Sequence, residues 1–285
     1  MTQLPIPPES LRIGVGPFAD PDVFLQSGRE TVQLARRLVA LQPHERVLDV
    51  GCGCGRVALA LTEYLADAGT YVGFDPNREY IAWCTQHISG LDKRFRFEHI
   101  DVQAGVYNPA GKMPVEHLAF PYRTSTFDVA LLCSVFTHMD EIGIVHYVRE
   151  LARVLRPAGR CLVSALLMND ATRRAVQAET TIFMFVHPLG QWNWTCDPDN
   201  PLEAVSNNEQ WLCEMFAHHG FRVEGIEYGN WRDVRSYAIQ HDWLAVRRLP
   251  DIMDPENWVV SLNCCDEVLS AEYHNIRASQ GMKVS

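Results

Sequence analysis

Apolar positions along the chain keep two different rhythms. "RVLDV" (46–50), "TYVGFD" (70–75), "RFRFEHID" (94–101), "FDVALLCSVF" (127–136) and "CLVSALLM" (161–168) are short, dense apolar or alternating runs bounded by turn residues, as strands are. Between them the apolar residues recur every three or four positions, predicting helices. These are Pro21 to Leu41 with Leu34, Leu38 and Leu41 on one stripe, Val57 to Leu65, Asn77 to Ile88, and a helix carrying Val145, Val148, Leu151, Ala152 and Leu155. The run from Phe127 is apolar but for Asp128 and Ser134, which marks a central strand buried on both faces. Strands alternating with helices require right-handed crossovers and a mostly parallel sheet, so the expected fold is α/β and doubly wound.

The alternation pauses after Asn169 for a stretch rich in Trp and Phe. It resumes with a helix near Glu209 to His219 and two closing strands in "FRVEGIEYG" and "SYAIQHDWLAVRRL", which brings the sheet to seven strands. The expected organisation is an N-terminal arm and helix over 1–42, a main domain over 43–249 with an insertion at 170–205 that covers a pocket, and a C-terminal appendage over 250–285.

Composition narrows the partners. With 285 residues and 47% hydrophobic content the chain can bury a large core. Its formal charge of −10, with Lys and Arg scattered, leaves no basic face for phosphates, so nucleic acid is not an expected partner. No run approaches the length of a membrane span and the first residues lack a signal-peptide pattern, so no membrane partner and a cytoplasmic location are expected. Nine cysteines without regular spacing read as reduced thiols. Adjacent Cys264 and Cys265 could form at best a strained disulfide, and Trp258, Val259, Val260 and Leu262 suit a homodimer contact through the C-terminal extension.

The candidate chemistry begins at "VLDVGCGCGR". Gly51, Gly53 and Gly55 lie between a strand and a helix, where bare backbone can meet a ligand at the carboxyl end of a sheet. The spacing is G-x-G-x-G, with Arg56 where a dinucleotide fingerprint would have its third glycine, and no G-K-[ST] follows for a phosphate loop. Asp49, Asp75 and Asp101 close three successive strands, a set suited to a ligand with an amine, a ribose and a polar base edge. Metal binding through Cys52 and Cys54 is not expected, because alternate residues of a tight turn diverge and four convergent ligands are needed.

Across Val47 to Leu167 these stretches resemble the class I, Rossmann-like S-adenosylmethionine-dependent methyltransferases. "VLDVGCGCGR", "YVGFDPN", "EHIDVQ" and "FDVALLCSVFTHM" are similar to that family's first four motifs in order, followed by "ELARVLRPAGR", in which Ala158 replaces the first glycine of the usual turn. The resemblance implies that S-adenosyl-L-methionine is the cofactor and S-adenosyl-L-homocysteine the product. It implies that Gly51, Gly53 and Gly55 border the methionine and ribose, and that Asp49 orients the ammonium group. By the same resemblance Asp75, with Pro76 beside it, binds the ribose, Asp101 and Val102 meet the adenine, and Cys133 and Ser134 line the pocket. It also implies that the N-terminal arm folds over the cofactor as a lid.

The expected activity is methyl transfer to a small-molecule acceptor, at oxygen, with a histidine base. Nitrogen or sulfur acceptors and a non-catalytic cofactor-binding scaffold remain open, while an NAD-dependent oxidoreductase is disfavoured by the loop spacing and Asp101. His138 in "SVFTHMD" and His187 in "FMFVHPLG" are the catalytic candidates, since histidine titrates near neutral pH. Tyr107, Phe183, Phe185, Trp192 and Trp194 are the candidate substrate wall.

Overall fold

The computed structural model describes residues 4–105, 107–235 and 241–250, and the appendage with its cysteine pair and dimer contact lies outside them. A short helix α1 (Glu9–Arg12) precedes α2 (Pro21–Leu38), whose start is fixed by Pro21 and by Asp20, which accepts from the backbone N–H of Asp22 and Val23. Phe24, Gly28, Val32 and Ala35 form its buried stripe. Gly28 is where α2 meets the next helix, because a Cβ there would stand 2.3 Å from the carbonyl oxygen of Arg56.

Then come β1 (Arg46–Val50), α3 (Arg56–Thr62), β2 (Thr70–Asp75), α4 (Arg78–His87), β3 (Phe95–His99), β4 (Phe127–Leu132), α5 (Glu141–Val154) and β5 (Leu155–Ala165). The seven-stranded sheet is completed by β10 (Phe221–Glu227) and β11 (Asp242–Arg248), in the order β10-β11-β5-β4-β1-β2-β3. Only β11 runs against its neighbours. The order reverses between β1 and β4, and a crevice opens at the carboxyl ends of strands at such a switch point. β4 is buried at every position, as its apolar run requires, and its one charged residue, Asp128, is paired with Arg46. The two faces of the sheet carry separate cores, one against α2, α3 and α4 and one against α5 and α7 (Glu209–His218).

The region after Asn169, together with Leu167 and Met168 just before it, builds a second, four-stranded sheet, which periodicity did not show. Its strands are β6 (Leu167–Met168), β7 (His187–Pro188), β8 (Asn193–Thr195) and β9 (Val205–Asn208), in the order β6-β9-β8-β7, with α6 (Asp170–Gln177) alongside. These strands are two to four residues long, too short for an alternation to register. Leu166, Met168, Val176, Phe185, Ala204 and Trp231 make its own small core. Fully buried Asp242 ties this sheet to the main one by accepting from Leu167 N, Trp231 Nε1 and the Arg232 guanidinium at 2.8–2.9 Å.

Candidate active site

A cavity opens at the switch point, walled by the glycine loop, the ends of β1, β2 and β4, and the segments after β3 and β4. All three loop glycines have positive φ (69°, 55° and 85°), the region other residues enter at a cost. At Gly53 a Cβ would also come within 2.8 Å of Val15 Cγ1, so the arm preceding α2 lies against the loop. The arm is closed on itself by Arg12, a buried guanidinium that donates to the carbonyls of Pro7, Phe18 and Ala19. Gly53→Ala should therefore cost about 1–2 kcal/mol of backbone strain, a fall of about 2–8 °C in Tm, and should weaken ligand binding as Val15 is displaced. Thermal denaturation and calorimetry check this, and unchanged values of both would mean that the loop tolerates a side chain.

Asp49 and Asp75 enter the cavity from the ends of β1 and β2. One Asp49 oxygen accepts from the Tyr71 hydroxyl at 2.7 Å, while the other, Oδ1, is buried with no partner among the described residues. Burial pushes the Asp49 carboxyl up to about 7, against the pull of the Tyr71 hydrogen bond and of Arg56. Each Asp75 oxygen accepts one backbone N–H at 2.8 Å, from Gly53 and from Asn77, leaving further lone pairs free. Burial raises this carboxyl too, to about 6.

A buried carboxylate oxygen without a partner invites a cation, and a carboxylate with spare lone pairs can take paired hydroxyls. The two acids would repel a pyrophosphate. Because both must ionise to hold a cationic, hydroxyl-bearing ligand, binding should release protons, and affinity for S-adenosylhomocysteine should rise from about pH 5 to about pH 8. Calorimetry in buffers of different ionisation enthalpy measures this, and binding that is pH-independent and proton-neutral would contradict it.

In the same cavity His138 follows β4 and meets Tyr107 from the segment after β3. His138 Nδ1 is 3.1 Å from the Leu202 carbonyl oxygen, which can only accept, so Nδ1 carries the hydrogen. Nε2 of the neutral ring is then an acceptor, 3.3 Å from the Tyr107 hydroxyl. Burial lowers the His138 pKa, partly offset by the backbone carbonyls of Leu202 and Glu203. Asp140, close to it in sequence, instead caps α5 by accepting from Gly143 N at 2.9 Å.

Gly51, Gly53, Pro76, Val102, Cys133 and Ser134 stand in the cavity wall with these residues. Burial pushes the Cys133 thiol up to about 12. Gly55 is the left-handed residue that starts α3, packed under the loop against Ile88 and Cys84.

Other sequence candidates lie elsewhere. Asp101 follows β3, but its carboxylate accepts from Asn108 Nδ2 at 3.2 Å and does not line the cavity. His187 is exposed on β7. Phe183 and Phe185 pack on each other at 5.6 Å in the small sheet's core, where Phe185 also meets Trp231. Arg173 covers the Trp194 ring at 4.6 Å, and the Trp192 backbone N–H is taken by Glu141. The insertion is aromatic because it has a core to fill, and of residues 170–205 only Leu202 reaches the cavity wall.

Sequence reading missed Val15, Tyr80 and His241. His241 Nδ1 lies 3.3 Å from Ser134 Oγ and 3.4 Å from Ser164 Oγ, and burial, with His138 and Arg56 nearby, lowers its pKa to about 4. No motif marks it, since it is brought to β4 only by the antiparallel return of β11.

Residues 47–159, which contain the loop, the three strand-end acids and His138, match the methyltransferase domain family. This segment is similar to the methyltransferase domain family, in keeping with its class I S-adenosylmethionine-dependent motifs. The methyltransferase GfsG of Streptomyces halstedii is 31% identical over 175 residues, 59% of this chain and 56% of that protein. The 27-O-demethylrifamycin SV methyltransferase of Amycolatopsis mediterranei is 27% identical, over 48% of this chain and 46% of its own length. The chain thus spans about half the length of these curated relatives.

The fold of the methyltransferase domain recurs in the Burkholderia thailandensis 1,6-didemethyltoxoflavin-N1-methyltransferase, solved with bound 1,6-didemethyltoxoflavin and S-adenosylhomocysteine. That structure has a TM-score of 0.51 and 18% identity, covering 85% of this chain and 84% of that one. S-adenosylmethionine is the cofactor of the methyltransferase family, and Asp49, Asp75 and the glycine loop fit its amino-acid and ribose portions. Among the described residues no helix is long and apolar enough to cross a membrane.

Proposed function

We propose that the protein transfers a methyl group from S-adenosylmethionine to a hydroxyl oxygen of a small-molecule acceptor, with His138 as general base. The observation that carries the reading is the His138 ring: its Nδ1 is committed to Leu202, and its Nε2 lone pair meets the hydroxyl of Tyr107, which lines with it the cavity that also holds Asp49 and Asp75. The bound cofactor supplies an electrophilic methyl group on a positively charged sulfur. With the cofactor bound, the acceptor hydroxyl would take the place of the Tyr107 hydroxyl at Nε2, and His138 would accept its proton as the oxygen takes the methyl group. Leu202 then stabilises the imidazolium through Nδ1, and Tyr107 can accept from Nε2–H until the proton leaves for water.

A hydroxyl needs such a base, which favours oxygen over sulfur, an atom far more nucleophilic at neutral pH. The rifamycin relative's name places its methyl on an oxygen, and that relationship supports the same choice here. Val115, Met139 and Leu202 in the wall suit an acceptor with an apolar body. Mass spectrometry after incubation with S-adenosylmethionine and a panel of hydroxylated, amine and thiol compounds tests the proposal. The expected result is S-adenosylhomocysteine formed in step with an O-methyl product. Cofactor binding without turnover on any acceptor would favour the scaffold reading, and turnover on amines alone would move the chemistry to nitrogen.

A further inference from the structure

Arg56 is the residue that breaks the dinucleotide fingerprint, and its surroundings give it a task. Its Nη1 donates to Ser27 O at 3.1 Å, Ser27 Oγ at 3.4 Å and Thr31 Oγ1 at 3.1 Å, all on α2, and the guanidinium lies 5.4 Å from the Phe18 ring. Every one of these partners is neutral. Among the described residues no carboxylate forms an ion pair with it, and beyond the bonds to α2 its guanidinium meets the Cys133 thiol, a neutral and weak acceptor. Yet Arg56 lines the same cavity as Asp49, whose Oδ1 is buried, 1% exposed as a residue, and without a partner.

The other lining carboxylates are already engaged, Asp75 by two backbone N–H groups and Asp140 by the start of α5. One wall therefore offers an acceptor for a cation next to a guanidinium with no carboxylate of its own. That is the complement of an α-amino acid zwitterion, in which ammonium and carboxylate share one carbon.

We infer that Arg56 binds the α-carboxylate of the cofactor's methionine portion through its guanidinium, while Asp49 Oδ1 takes the ammonium group. The inference rests on the cofactor reading above and assigns the carboxylate, for which none of the strand-end acids can serve. The planar guanidinium can meet a carboxylate with parallel N–H donors, and its Nη1 is fixed by Ser27 and Thr31, so little order is lost on binding. Since Gly28 sets α2 directly on the Arg56 backbone, the N-terminal helix becomes part of the cofactor site although it supplies no direct ligand.

The test compares two ligands that differ only in that carboxylate: S-adenosylhomocysteine and its decarboxylated analogue, titrated calorimetrically into the full chain and into Arg56→Gln and Arg56→Lys. The unaltered protein should prefer S-adenosylhomocysteine by about 10- to 100-fold, the range of a charge-assisted hydrogen-bonded contact. Arg56→Gln should lose that preference and bind the decarboxylated analogue as before, and Arg56→Lys should recover part of it. Equal weakening of both ligands would mean that Arg56 only holds α2, and equal affinity of the unaltered protein for both would mean that no cation reads the carboxylate. Either result overturns the assignment while leaving the cofactor reading intact. Failure of the unaltered protein to bind either ligand would overturn both.

Discussion

Asp75→Ala is expected to lower the affinity for S-adenosylhomocysteine by about 100-fold or more, since two hydrogen bonds to a charged acceptor, each contributing about 1.5–3 kcal/mol, are lost together. The carboxylate also has a structural role. It accepts from Gly53 N and Asn77 N, so its removal strands two N–H groups and loosens the loop from β2. A fall in Tm should accompany the loss of binding, which a purely ligand-binding residue would not cause. The two contributions separate with a cofactor analogue lacking the ribose hydroxyls: its affinity should fall only by the loop's share, leaving a larger loss for S-adenosylhomocysteine. Undiminished binding of S-adenosylhomocysteine would mean that the acid ending β2 does not hold the ribose.

His138→Ala should reduce kcat by about 10²- to 10⁴-fold, the range for a positioned general base, without weakening S-adenosylhomocysteine binding. The hydrogen bonds of His138 go to Tyr107 and Leu202, and not to Asp49 or Asp75. The active form is the neutral ring, so the rate rises with pH through the His138 pKa and then levels. Burial places that pKa below the ordinary 6.5, so the protein keeps its rate into mildly acidic solution and loses it only below that value. The acid limb should vanish in His138→Ala. A retained limb would assign it to another group, such as Asp49 or Asp75, and a retained rate would remove His138 as the base.

The parallel core of the fold was legible because β1, β2, β4 and β5 must be covered on both faces, and that demand writes continuous apolar runs into the sequence. The glycine loop was legible because positive φ and close packing leave little choice of residue. The acceptor side was harder to read. Phe183, Phe185 and Trp194 carry the composition of a binding box, yet they fill the core of a small sheet whose two- to four-residue strands leave no periodic trace. Asp101 and Asp75 occupy equivalent places after successive strands, and only the fold shows that Asn108 engages the first while the second faces the cavity. Arg56 was visible as a departure from a fingerprint, but its lack of a carboxylate partner shows only in the folded chain.

The tautomer of His138 is set by a main-chain oxygen, that of Leu202, and not by a side chain. Every amino acid carries that oxygen, so the identity of residue 202 is free to drift provided the loop keeps its path. Surface composition around the acceptor can then be rewritten, by evolution or by an engineer, without disturbing which ring nitrogen carries the hydrogen. The strands β8 and β9 flank this loop as a chassis, so on the proposed reading exchanging the residues between Thr195 and Val205 should change which acceptor is taken while the His138 tautomer is kept.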